Sequence, residues 1–187
     1  MKFIFLSIYT LPPSAACMLI GVCMVLFFAS FQRFGEKKWY KLLLGIGLGL
    51  AVYAVLYSTV LSREIDTVHS IQLKPFQSYL AYLSGVNTEA LRTNCMNILL
   101  FVPIGLLGET VLPNNWNLWI KMLLVVFIGL FLSIGVEYLQ FVRQCGEVEM
   151  DDVINNTIGT WIGSICEPIL HKIWSRMKRK WDEHDRA

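Results

Sequence analysis

Apolar side chains dominate five stretches of the chain: Pro13 to Phe34, Tyr40 to Leu61, Asn94 to Leu112, Leu118 to Val142 and Asp152 to Ile173. At 1.5 Å of rise per residue, each is long enough as a helix to cross a hydrocarbon core about 30 Å thick. A membrane barrel needs apolar and polar residues to alternate over about ten positions, and no such stretch occurs. The pattern predicts an all-α polytopic membrane protein, a bundle of about five transmembrane helices forming a single membrane domain over residues 1–187. Small residues at helical spacing, Gly45 with Gly49 and Gly159 with Gly163, predict close approach between helices.

Composition fits a bilayer as solvent: 55% of residues are hydrophobic, 16% are charged and the mean hydropathy is +0.53. The formal net charge of +2 gives no reason to expect nucleic acid or an acidic substrate. Cys17, Cys23, Cys95 and Cys166 fall in apolar stretches and Cys145 in a short polar loop, without CxxC or Cys/His ligand spacing. They read as packing residues, and neither a cofactor nor a metal is expected. The start of the chain imitates a signal peptide, with Lys2, an apolar run from Phe3 to Leu11 and the small residues Ser14, Ala15 and Ala16. Ser14 stands where a lipoprotein cleavage site would want Leu, and apolar sequence continues from Cys17 to Phe31, so the segment reads as uncleaved.

The basic residues set the expected topology, because positively charged loops resist translocation. In one orientation eleven Lys and Arg fall inside (Arg33, Lys37, Lys38, Lys41, Lys121, Lys172, Arg176, Lys178, Arg179, Lys180 and Arg186) and five outside (Lys2, Arg63, Lys74, Arg92 and Arg143). That asymmetry predicts an outside N-terminus and a cytoplasmic C-terminus, with a basic cytoplasmic tail over residues 172–187. Trp174 and Trp181 suit a tail helix lying on an anionic inner leaflet, and a frayed, solvated end is the plainer alternative.

Polar residues inside spans are costly, and three clusters stand out. Asn94 and Asn97 lie one turn apart at the start of the third span, ahead of Pro103, which predicts a kink. Glu137 and Gln140 repeat that spacing in the fourth span, about 9 Å along the helix before Arg143. Glu147, Glu149, Asp151 and Asp152 then lead into Asn155 and Asn156, with Asp152, Asn156, Gly159 and Gly163 on one helical stripe. Each has a purely structural alternative: Asp151 or Asp152 capping the fifth helix, Glu137 and Gln140 bonding neighbouring helices, Asn94 and Asn97 acting as interhelical glue. The charge-derived topology nevertheless puts all three at the same, outer, face. The long connection from Ser62 to Thr93 also falls outside, and Tyr79, Leu80, Tyr82 and Leu83 within it suit an interfacial segment serving as a lid or a wall.

These blocks resemble the VanZ-like family of bacterial membrane proteins, named for a protein associated with resistance to the glycopeptide teicoplanin. Leu73-Lys74-Pro75-Phe76 is similar to the family's L-x-P-F, and the run from Asn97 through Phe101 and Pro103 to Gly105 is similar to its N-x-x-x-F-x-P-x-G. Glu137 and Gln140 match E-x-x-Q, while Glu149, Asp152, Asn156, Thr157 and Gly159 resemble D-x-x-D-x-x-x-N-T-x-G. The resemblance covers about Ile71 to Gly163, residues 71–163, with the blocks in family order. Glu149 replaces a common Asp and preserves the charge, whereas Gly146 stands where many members have Arg, leaving Arg143 or Arg92 to supply a cation.

The resemblance implies a multi-pass protein of the bacterial plasma membrane with a role at the cell envelope. Its ligand-binding candidates are Asn94, Asn97, Glu137, Gln140, Glu149, Asp152, Asn156, Arg92 and Arg143. The expected partners are membrane lipids and an amphiphile at the outer leaflet, either a lipoglycopeptide antibiotic or a lipid-linked wall precursor. Carboxylates and amides bind amines or sugar hydroxyls directly, but repel phosphate unless a cation intervenes. Three alternatives stay open. An intramembrane enzyme would use Glu137 as general acid or base and Glu149 with Asp152 as oxygen ligands for a divalent ion. A small transporter would use the break at Pro103 and the intramembrane carboxylate, and a structural partner protein would use neither.

Overall fold

A computed structural model of the protein describes residues 38–65, 70–113 and 115–184. The expected first span, Pro13 to Phe34, and the signal-like N-terminus lie outside these residues. The described chain is overwhelmingly helical, as the apolar pattern requires. Helix α1 runs Lys38–Leu56 and continues as a π-helical turn, Tyr57–Leu61. A short α2 spans Gln77–Leu83, followed by α3 at Ala90–Val111, α4 at Leu118–Arg143 and α5 at Met150–His184. Three of these stretches, Lys41–Leu61, Ala90–Val111 and Leu118–Arg143, are long and apolar enough to cross a membrane.

The π turn has a local cause. Ser58 Oγ and Thr59 Oγ1 both donate to the Val55 carbonyl, at 3.0 and 2.7 Å, and compete with the backbone ladder there. The Ser62 amide then reaches back five residues to the Tyr57 carbonyl at 2.9 Å. A widened turn leaves carbonyls open to other donors. The Thr59 and Val60 carbonyls use that freedom to accept from α4 and the loop after it.

Burial is reversed relative to a water-soluble bundle. On α4, Lys121, Val125, Gly129, Ser133, Glu137 and Gln140 are buried at spacings of three and four, while Leu123, Phe127, Phe131 and Tyr138 face outward. On α5 the buried positions are Asp152, Asn155, Asn156, Thr160, Ser164 and Glu167, with Trp161, Ile162, Ile169 and Ile173 exposed. Polar side chains inside and apolar ones outside is the arrangement hydrocarbon selects. The apolar core sits where α1, α3 and α4 meet, around Ala51, Val55, Leu100, Phe101, Ile104 and Val136.

Helices α3 and α5 touch through backbone. A Cβ built on Gly159 would fall closer than 3.0 Å to the Ile98 carbonyl, one on Gly163 would meet the Val102 carbonyl, and one on Gly105 the Thr160 carbonyl. The Gly159/Gly163 pair therefore does what its spacing predicted. For Gly45 and Gly49 no described atom lies within 4 Å of a Cβ, so the close approach their spacing predicts involves none of the described helices.

Two boundaries differ from the sequence expectation. Helix α3 begins at Ala90, four residues before Asn94, so the signature asparagines lie inside an established helix. The basic tail is helical as far as His184, where the described residues end, and continues α5 without a break. Lys, Arg and Glu there are good helix formers and nothing interrupts them. At 35 residues α5 is about 52 Å long, so it outruns a hydrocarbon core of about 30 Å.

Candidate functional site

The polar clusters meet at one end of the bundle, and each is positioned by a neighbour distant in sequence. Asn97 Nδ2 on α3 donates to Asp152 Oδ1 on α5 at 2.6 Å. Glu137 on α4 accepts the Glu149 amide at 3.0 Å, fixing the loop that carries the second acidic block. That loop is held further by a two-residue parallel bridge between β1 (Ile71–Gln72) and β2 (Val148–Glu149), which pairs Gln72 with Glu149. Gln140 Nε2 donates to the Thr59 carbonyl at 3.0 Å, and Asn156 Nδ2 donates to Ser133 Oγ at 2.9 Å.

Asp151 is spent on structure. Its carboxylate accepts the Phe76 amide, the Ser78 amide at 2.8 Å and the Ser78 hydroxyl at 2.6 Å. It thereby caps α2, not its own helix. Phe76 adopts a left-handed conformation, φ 62°, which costs a non-glycine residue energy. The charged acceptor offsets that cost, which explains why a Pro-Phe turn ends beside an acidic block. Ser78 also accepts from Asn94 Nδ2 at 3.0 Å, and the Tyr79 hydroxyl donates to Asn155 Oδ1 at 2.6 Å. Burial, and then the Asp151 charge, push the Tyr79 phenol up, so it stays a donor. Leu80 and Leu83 face outward from α2, as an interfacial wall would require.

Arg92 and Arg143 do not join the cluster. Arg92 pairs with Glu89 at 3.3 Å on an exposed helix edge, and Arg143 donates to the Val60 carbonyl at 3.1 Å. The nearby cation is Arg63, just beyond the π turn, whose charge acts on both Glu137 and Asp152. Its guanidinium nitrogen lies 2.5 Å from where a Cβ on Gly146 would stand. Gly146, at φ 121°, thus leaves room for a cation delivered from elsewhere in the fold. Sequence reading counted Arg63 for topology alone, and its adjacency to the end of the second span was the available clue. Ser133, one turn before Glu137, was also missed, although it lies on the same stripe.

The site has a surplus of acid. Glu137 and Asp152 face one guanidinium, Glu149 adds a third carboxyl beside them, and Glu147 lies at the rim, accepting from Gln72 Nε2 at 3.2 Å. Burial is the largest influence on Glu149, followed by the Asp152 and Glu147 charges, and together they push its carboxyl up to about 7. Glu137 and Asp152 are 5% and 9% exposed, so a ligand would reach them only past the loop and α2. Gln140 Oε1, Asn155 Nδ2 and Asn156 Oδ1 are buried without a hydrogen-bond partner, which leaves capacity for water or a ligand. Among the described residues no group of three or more His, Cys, Asp or Glu is arranged to hold a metal ion.

This convergence of the L-x-P-F turn, the asparagine face, the E-x-x-Q pair and the acidic turn is mirrored in comparison with known families. The VanZ/LLP1 profile matches residues 15–171. The chain belongs to the VanZ/LLP1 family. The match reaches beyond residues 71–163 in both directions, taking in the first two expected spans and stopping where the basic part of α5 begins. No curated protein and no solved structure gives a match. A VanZ-like membrane protein is therefore what sequence and fold together support, and its ligand is argued separately.

Proposed function

We propose that this VanZ-like protein engages an amine-bearing amphiphile at the outer leaflet of the bacterial plasma membrane. A lipoglycopeptide antibiotic or a lipid-linked wall precursor fits, in service of glycopeptide resistance or envelope homeostasis. The observation that carries the reading is the acid surplus: Glu137, Glu149 and Asp152 act on one another, while one cation, Arg63, acts on Glu137 and Asp152. A buried surplus of carboxylates is costly unless a positive group arrives. An ammonium on the amphiphile supplies it, the free amide oxygens of Gln140 and Asn156 accept from hydroxyls, and α2 offers an apolar wall for the lipid chain. The outward placement of this end rests on the distribution of Lys and Arg.

Protein in lipid nanodiscs, titrated with a lipid-linked wall precursor or with teicoplanin and followed by tryptophan fluorescence, tests the reading. Binding by the wild type and a loss of about tenfold or more in Glu137→Gln and Asp152→Asn are expected, each tenfold being about 1.4 kcal/mol. Equal binding by folded variants would remove the basis for the site. Release of the headgroup by the wild type and not by Asp152→Asn would move the reading from binding to catalysis.

A further inference from the structure

A second polar cluster occupies the opposite end of the bundle, and the ligand site does not use it. Glu109 on α3, Lys121 on α4 and Ser164 and Glu167 on α5 are all buried. Glu109 is 0% exposed; its Oε2 accepts from Ser164 Oγ at 2.7 Å, and its Oε1 has no partner. Lys121 acts electrostatically on both Glu109 and Glu167, and the Glu167 charge acts on Glu109. Asp152 and Glu167 are fifteen residues apart on α5, about 22 Å along its axis, so the two clusters are separate.

Among the described residues, two carboxylates against one ammonium leave a net charge of −1 on buried side chains. Such a surplus is expensive in low dielectric. A divalent cation would be repelled by Lys121, and the groups provide few oxygens to hold one. One proton brings the cluster to neutrality and converts the bare Glu109 oxygen into a hydroxyl that can donate. A helix-packing role alone would not call for a third ionisable group. Buried ionisable residues of this kind mark proton pathways in membrane proteins. We propose that Glu109, Glu167 and Lys121 form a site that takes up and releases one proton at the end of the bundle opposite the ligand site. Among the described residues the groups facing Glu109 are Ser164 and Glu167 from α5 and Lys121 from α4, so uptake alters the contacts among all three helices. The proposal is independent of the ligand reading.

Infrared difference spectra of the protein in nanodiscs, recorded across about pH 5 to 9, test it, because a protonated carboxyl has a separate carbonyl stretch. The expected result is a titrating carboxyl band that disappears in Glu109→Gln and shifts to higher pH in Lys121→Gln, since the ammonium favours the ionised form. Labelling by dicyclohexylcarbodiimide, which adds to protonated carboxyls in apolar surroundings, is expected on Glu109 and to fall as pH rises. Glu109→Gln preserves size and one hydrogen bond to Ser164, and Ser164→Ala provides a second variant if it fails to fold; that variant is expected to move the band's midpoint. A spectrum without a titrating band assignable to Glu109 or Glu167 would overturn the proposal. So would a carboxyl signal unchanged over the whole range, which would mark a permanently protonated structural group.

Discussion

Replacing Gly159 with Ala probes the contact on which the site's geometry depends. A Cβ there would enter the space of the Ile98 carbonyl and reach the Phe101 Cβ at 3.0 Å, and two of the three nearest atoms are backbone, which cannot rotate aside. Helices α3 and α5 would have to separate by on the order of 1 Å, an overpacking cost of about 1–3 kcal/mol. The same separation stretches the 2.6 Å bond from Asn97 to Asp152, and a hydrogen bond to a charged group contributes about 1.5–3 kcal/mol. Alanine regains about 1 kcal/mol of helix propensity. The net is a destabilisation of about 3 kcal/mol, roughly a hundredfold in the folding equilibrium. Reversible unfolding of purified protein in mixed micelles, by raising the denaturing detergent and following far-UV circular dichroism, measures it. Gly49→Ala is the control: with no described atom within 4 Å of its Cβ it should gain up to about 1 kcal/mol. Equal stability of Gly159→Ala and Gly49→Ala would refute the claim that α3 and α5 are in backbone contact.

Other outcomes follow from single contacts. Asp151→Ala removes the acceptor for three donors of the Phe76 to Ser78 turn, so residues 70–86 should exchange amide hydrogens faster by tenfold or more, with α3 and α4 unaffected. Arg63→Gln should change ligand affinity and its salt dependence by fivefold or more, while Arg92→Gln, which breaks only an exposed pair, should leave both within twofold. Glu149 has its folded carboxyl raised to about 7 against an ordinary 4.5. Its protonated form is therefore favoured by folding; this contribution to stability is complete below about pH 4.5 and is lost as pH rises through about 7. Detergent-unfolding midpoints should fall across that window in the wild type and fall less in Glu149→Gln. Binding of an amine ligand should run the other way, strengthening as Glu149 ionises, and a Glu149→Gln variant that keeps the wild-type pH dependence of both would exclude this assignment.

Much of the site was legible because its residues violate the rules of their surroundings. Asn94, Asn97, Glu137, Gln140, Asp152 and Asn156 stand out as polar residues in apolar runs, and each proves to be buried. Arg63 was not legible, because a basic residue after a span is ordinary and only its return to the gap above Gly146 makes it part of the cluster. The role of Asp151 was hidden for a related reason. From sequence, an acid at the start of a helix reads as that helix's own cap, whereas its donors come from residues more than seventy positions earlier. The second cluster escaped because Glu109, Lys121 and Glu167 lie near the ends of their spans, where charge is unremarkable until it is found buried.

By itself the sequence determined the solvent, the helices and the membership of the polar face, since hydropathy and helical period act over neighbouring residues and need no knowledge of partners. The family assignment rests on the same local blocks in order. The tertiary structure decided which polar groups are bound to each other, which cation serves the carboxylates, and where two helices come into backbone contact. Those outcomes depend on distances between residues far apart in the chain, and a pairing such as Asn97 with Asp152 or Glu109 with Ser164 exists only once α3 and α5 have packed. The glycines show the division most plainly. Gly45/Gly49 and Gly159/Gly163 have the same spacing, yet only the second pair faces a neighbouring described helix.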